Sequence, residues 1–111
     1  MARDSVGPAP KASIVPPLRV RAPARHEIES AFDWYRERSS SAAEGFLDAV
    51  DEAFSQITRA PEQYPVIRGR LRRALLAGYP YAVYFKSYPN VVSVVGVIHG
   101  HRHPHTWLRR A

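Results

Sequence analysis

Residues 71–99 read LRRALLAGYP YAVYFKSYPN VVSVVGVIH, and this stretch decides the fold. Leu71 to Leu76, Tyr79 to Ser87 and Val91 to His99 are mostly apolar runs, the second rich in aromatic and the third in β-branched residues. Gly78 and the Tyr88-Pro89-Asn90 break lie between them, so the pattern predicts three strands joined by turns. In the last run Val92, Val94 and Ile98 fall on one alternation and Val91, Val95 and Val97 on the other. A strand apolar on both faces reads as central and as covered on both sides. Between Arg73 and Arg102 only Lys86 is charged, yet it divides the stretch into runs well short of the roughly 20 apolar residues of a membrane span.

The cover for one face of this sheet lies upstream. From Ala24 to Arg38 the residues Ile28, Ala31, Phe32 and Tyr35 recur at helical spacing, with Glu27 and Glu29 early and Arg36 and Arg38 late, as the helix dipole favours. Ser39-Ser40-Ser41 breaks the pattern, and Ser41 with Glu44 matches a capping box for a second helix. That helix runs to about Arg59 with Ala43, Phe46, Leu47, Val50, Phe54 and Ile57 as its stripe, and Pro61 stops it. Ahead of both, Leu18 to Ala22 alternates like an edge strand, and Pro23 suits a helical first turn. The expected order is β-α-α-β-β-β, an α+β fold with a helical hairpin packed on a small antiparallel sheet. Residues 1–17, with Pro8, Pro10, Pro16 and Pro17, read as a disordered leader, and 18–111 as a single domain.

Composition narrows the function. A chain of 111 residues holds one core and has no room for separate cofactor and substrate domains. With no cysteine, disulfide scaffolds, thiolate zinc sites and cysteine nucleophiles are excluded. The formal charge is +6, but it is unevenly placed: +3 over residues 1–23, −5 over 24–62 and +8 over 63–111, the last block without a carboxylate. An acidic middle is the ordinary solvated face of a helical hairpin. Eight cations with no acid exceed what solubility asks for, and point to an acidic partner, nucleic acid or protein. The N-terminus lacks the apolar run of a signal peptide, so the expected location is the cytoplasm.

Individual residues have bland readings beside the sharp ones. His99, His101, His103 and His105 alternate as if to gather a metal, but Pro104 interrupts the strand and no carboxylate follows, so no metal site is expected. Arg72 and Arg73 must point to opposite faces, and one of them has a structural alternative in a salt bridge to Glu52. Phe32, Trp34 and Tyr35 read as hairpin core, and Trp107 as packing for the tail. Gly-rich phosphate loops and nucleophile elbows are absent from the sequence, which also calls for no cofactor.

Asp33-Trp34-Tyr35, Arg38-Ser39, Pro61-Glu62-Gln63-Tyr64-Pro65, Arg72-Arg73 with Tyr79-Pro80-Tyr81, and the ending His99-x-x-Arg102-x-Pro104-x-x-Trp107 occur in an order that resembles the RelE/ParE superfamily of toxins from type II toxin–antitoxin modules. The ending is closer to the ParE and plasmid-stabilisation branch. The resemblance implies a toxin neutralised by a cognate antitoxin, in a hetero-oligomer, that stops replication by inhibiting DNA gyrase. The antitoxin surfaces it implies are the hairpin and a sheet edge, with Phe32, Tyr35, Tyr84 and Val95 as candidate anchors. Arg72, Arg73, His99, Arg102 and Trp107 are the candidate target-binding residues. In the alternative, a RelE-like ribosome-dependent mRNA endoribonuclease, His99 would move the proton while Arg102, Arg72 and Arg73 neutralise phosphate. The C-terminal tyrosine common in that branch is missing here, which weakens the alternative. A third reading is a non-toxic module that only binds antitoxin.

Overall fold

The computed structural model describes residues 16–100. Strand β1 (Leu18–Val20) leads into helix α1 (Ala22–Arg36), with Pro23 in its first turn, where a missing N–H costs nothing. Past the end of α1, Arg38 turns back and donates from Nη1 to the Trp34 carbonyl at 2.7 Å, satisfying one of the last orphan acceptors. Helix α2 (Ser40–Arg59) is capped by Ser39, whose hydroxyl accepts the Ala42 N–H at 3.2 Å. The cap therefore sits two residues ahead of the expected Ser41–Glu44 box. Ala43, Phe46, Val50, Ala53 and Ile57 form the buried stripe of α2, and Pro61 opens a short 3-10 turn (Pro61–Gln63).

Four strands follow: β2 (Val66–Arg68), β3 (Leu71–Leu75), β4 (Tyr81–Tyr88) and β5 (Val91–His99). They join β1 in one sheet of order β1-β5-β4-β3-β2, so β5 has a neighbour on each side, as its apolar character required. The α+β class and the hairpin-on-sheet arrangement stand, with two amendments. The sheet is mixed, because β1 runs parallel to β5 with Leu18 opposite Val92 and Val20 opposite Val94. It also has the extra strand β2, whose three residues are all exposed and therefore carry no alternation to read. The ladder reaches Pro17, whose carbonyl accepts the Val92 N–H at 2.9 Å, so this last residue of the expected leader belongs to the domain. Residues 1–15 of that leader lie outside the described residues.

A bulge in β5 decides which side chains meet the helices. Tyr84 lies opposite Gly96 and Phe85 opposite Val94, leaving Val95 as the extra residue. An inserted residue reverses the alternation beyond it. Val92, Val94 and Val97 thus pack with Phe46, Ile57, Val83 and Phe85 under the helices, while Ile98 joins Leu71, Ala82, Tyr84 and Val95 on the opposite face. The expected grouping of Ile98 with Val92 and Val94 is corrected accordingly. Beyond Val94 the flank of β5 has run past the end of β1, and Glu27 of α1 takes over: its Oε1 accepts the Val97 N–H at 2.9 Å.

The hairpin is keyed to the sheet at Gly45. The Tyr79 hydroxyl donates to the Ala42 carbonyl at 2.8 Å and occupies the space a Cβ on Gly45 would need. Alanine in a helix interior is ordinarily favoured over glycine by about 1 kcal/mol. Here Gly45→Ala is expected to destabilise by about 1–3 kcal/mol through overpacking, read as a lower denaturation midpoint. Adding Tyr79→Phe removes the clashing oxygen and should restore part of the loss; failure to restore it would place the strain elsewhere.

Candidate functional site

The structure separates the residues that the sequence grouped. Arg72 points to the helix side, where Nη1 donates to the Tyr64 carbonyl at 2.6 Å and to the Glu62 carbonyl at 3.5 Å. Tyr64 in turn packs edge-on against Phe85, ring centroids 5.8 Å apart. Arg72 thus ties the 3-10 turn to β3, and it bonds main-chain carbonyls where a pairing with Glu52 was the expected alternative. The Glu52 carboxylate accepts from Gln56 Nε2 at 2.8 Å instead. Arg73 is exposed on the opposite face, beside Tyr84.

His99 ends β5 on the helix side, opposite Tyr81, with ring centroids 5.2 Å apart. Arg72 lies opposite Phe85, four residues further along β4, which puts Arg72 and His99 about 17 Å apart by strand geometry. Among the described residues His99, Arg72 and Arg73 therefore share no phosphate-sized site. Arg102 and Trp107, like His101, His103 and His105, lie outside the described residues. Within the described residues no group of three His, Asp or Glu side chains is placed to hold a metal ion, and no helix is long and apolar enough to cross a membrane.

What does assemble is an aromatic cluster with an open edge. Tyr35, Phe46, Tyr79 and Tyr81 pack ring against ring, with Phe46 fully buried and centroids 5.5–5.7 Å from its three neighbours. Burial, then the nearby Tyr81 and Tyr79 hydroxyls, raise Tyr35 above the usual 10.0, so it stays a neutral donor across the physiological range. At the rim Trp34 is 51% exposed, not core as its helical spacing indicated. The Arg38 guanidinium lies 3.7 Å over its ring and Tyr35 meets it edge-on at 5.1 Å. Trp34, Tyr35, His26, Ser30, Pro80, Tyr81 and His99 line a cleft of about 670 Å³ between α1 and the end of β5. A shallower groove of about 430 Å³ runs between the helices past Ile28, Phe32 and Leu47. Of the candidate antitoxin anchors, Phe32 and Tyr35 thus face these helical recesses, whereas Tyr84 is buried and Val95 half-buried on the far face of the sheet. The missed residue is Trp34; the signal was Arg38 four residues on, placed to stack on an indole that the stripe Ile28, Ala31, Phe32, Tyr35 does not need.

The domain is thus a helical hairpin laid on one face of a small mixed sheet, with two recesses on its helical side. The family model for the ParE toxin of the type II toxin–antitoxin system parDE matches residues 18–104, and the chain belongs to that family. It is a toxin component of a type II module by that membership. The fold is similar to a solved chain from the chromosomal ParDE toxin–antitoxin system of P. aeruginosa, with a TM-score of 0.68 at 14% identity, covering 78% of this chain and 98% of that one. No curated protein matches the sequence significantly.

Proposed function

We propose that this toxin acts in the cytoplasm by inhibiting DNA gyrase, and that a cognate antitoxin neutralises it by wrapping the domain. The observation that carries gyrase inhibition over message cleavage is the separation just described. RNA cleavage by 2′-hydroxyl attack needs a base, an acid and cations around one phosphate. His99 and Arg73 stand on opposite faces of the sheet, and Arg72 is occupied with the Tyr64 carbonyl. A protein target asks for no such convergence. The antitoxin is proposed to fill the helical recesses against Phe32, Trp34 and Tyr35, consistent with the helix-in-groove mode, whereas Tyr84 and Val95, packed together on the far face of the sheet, are left out of that contact.

The test is induction of the toxin without antitoxin while DNA and protein synthesis are pulse-labelled in parallel. DNA synthesis is expected to stop first with translation continuing; translation failing first would favour the ribonuclease. His99→Ala is expected to remain toxic within a few-fold, since the ring packs on Tyr81 and shares no phosphate-sized site with Arg72 or Arg73. A nuclease that used this imidazole would instead lose about 10²–10⁴-fold.

A further inference from the structure

The folded domain sorts its charge by face. Every carboxylate of the described residues lies on α1, α2, the turn after α1 or the 3-10 turn, and no strand carries one. On the sheet face away from the helices the register lines up Arg19, Ser93, Lys86, Leu71 and Arg68, one residue from each of the five strands. At about 4.8 Å per strand this row spans about 19 Å, with cations at both ends and in the middle. Arg73 projects from the same face two residues along β3. Arg70 is drawn to it by the Tyr88 ring, 5.0 Å from its guanidinium, and by the Ser87 carbonyl at 3.3 Å. Arg21 adds a further cation at the β1 end, donating from Nε to Ser93 Oγ at 2.8 Å. Arg19, Arg21, Arg68, Arg70 and Arg73 are exposed.

We propose that this helix-free face binds the backbone of duplex DNA without reading its sequence. Charge complementarity selects a polyanion, because cations from four of the five strands, Arg19, Arg68, Arg73 and Lys86, stand on this face and no strand carries a carboxylate. A protein partner would look for apolar anchors, and the exposed large apolar side chains lie elsewhere or at the margin. Among the described residues Trp34 and Leu47 are on the helices and Val66 and Ile67 on the edge strand, leaving Leu75, at the end of β3, as a single exposed apolar side chain beside the cations of this face. A single strand would need ring platforms for its bases. On this face Tyr84 is buried and Tyr88 is stacked by Arg70. The steps of about 10 Å from Arg19 to Lys86 and from Lys86 to Arg68 instead suit two backbones flanking a duplex groove, whose widths are about 6 and 12 Å. The inference goes beyond gyrase inhibition and stands or falls separately from it, because DNA binding is measured without gyrase.

The experiment is fluorescence anisotropy of the full chain with a labelled mixed-sequence duplex of about 20 base pairs, long enough to cover the row, across a salt series. Binding is expected at 50 mM salt, weakening steeply as salt rises. The triple variant Arg19→Gln, Arg68→Gln, Arg73→Gln is expected to bind at least about tenfold more weakly, equally for two unrelated sequences, and to lower the log–log salt slope by about 2.7. Arg36→Gln with Arg59→Gln, on the helical layer, should stay within about twofold of the parent. Circular dichroism establishes that each variant is folded. Absence of duplex binding at 50 mM salt, or a folded triple variant that binds like the parent, would overturn the proposal. So would tighter binding of the corresponding single strand, or displacement by polyglutamate as effective as by unlabelled duplex, which would mark the face as a site for an acidic protein segment. Gyrase inhibition is compared in the parent and in the double variant Arg19→Gln, Arg68→Gln, which keeps the candidate target-binding residue Arg73, so its outcome bears on the functional reading and not on the DNA proposal.

Discussion

Phe46→Ala is expected to cost about 3–5 kcal/mol, the range for deleting a fully buried aromatic side chain. The ring has no exposed surface and three aromatic neighbours, Tyr35, Tyr79 and Tyr81, which come from both helix α1 and the sheet side. Its removal opens a cavity at the one point where α1, α2 and the entrance to β4 meet. The neighbours cannot simply collapse into it, because the Tyr79 hydroxyl is fixed to the Ala42 carbonyl. Small domains have only about 5–15 kcal/mol of total stability, so the variant should lose a large part of it. Urea denaturation read by circular dichroism checks this, and toxicity in cells should fall with the folded fraction. A loss under about 1 kcal/mol would mean that the cluster repacks, and would make Phe46 dispensable as the hairpin's anchor.

Trp34→Ala is expected to weaken antitoxin binding by about 30-fold or more, a hot-spot loss of at least about 2 kcal/mol, while leaving the toxin folded and toxic. Trp34 is half exposed but held: Arg38 stacks on one face and Tyr35 meets its edge. A rigid indole at the mouth of a cleft loses little entropy on binding, which is what makes such a residue an anchor. Titration calorimetry of toxin and variant against the antitoxin measures the change. Affinity within twofold of the parent would remove the cleft from the antitoxin interface and leave the groove past Phe32 and Leu47 as the candidate. Loss of toxicity together with affinity would assign Trp34 to the target surface instead.

The elements whose apolar pattern is self-contained were legible in the sequence: both helices, and the three strands from Leu71 to His99. What escaped depends on partners remote in the chain. The direction of β1 is set by β5, and β2 has no buried face to announce it. The bulge at Val95 reversed half of the last strand; Gly96 within that strand was its one local mark, since glycine in a strand often accompanies a bulge. The candidate site was legible only as a set of residue types. Alternation correctly sent Arg72 and Arg73 to opposite faces, but their distance from His99 follows from strand order, which no local pattern encodes. The charge blocks along the chain, by contrast, translated largely into layers among the described residues, because the acidic block is mostly the helical hairpin and the described part of the basic block is mostly sheet.

The parallel pairing of β1 with β5 also sets a clock. Leu18 is among the first domain residues to be synthesised, and its partner Val92 among the last. At ribosomal rates of about 5–20 residues per second, β1 waits about 4–15 s for the strand that completes it. During that interval the nascent chain can form the α1–α2 hairpin, whose contacts are local, but it has no finished sheet. Pairings this distant in sequence also close slowly once available, because loop entropy must be overcome first. A growing chain is therefore an incomplete toxin until β5 has been synthesised, and the helical surfaces proposed for the antitoxin are made well before that point.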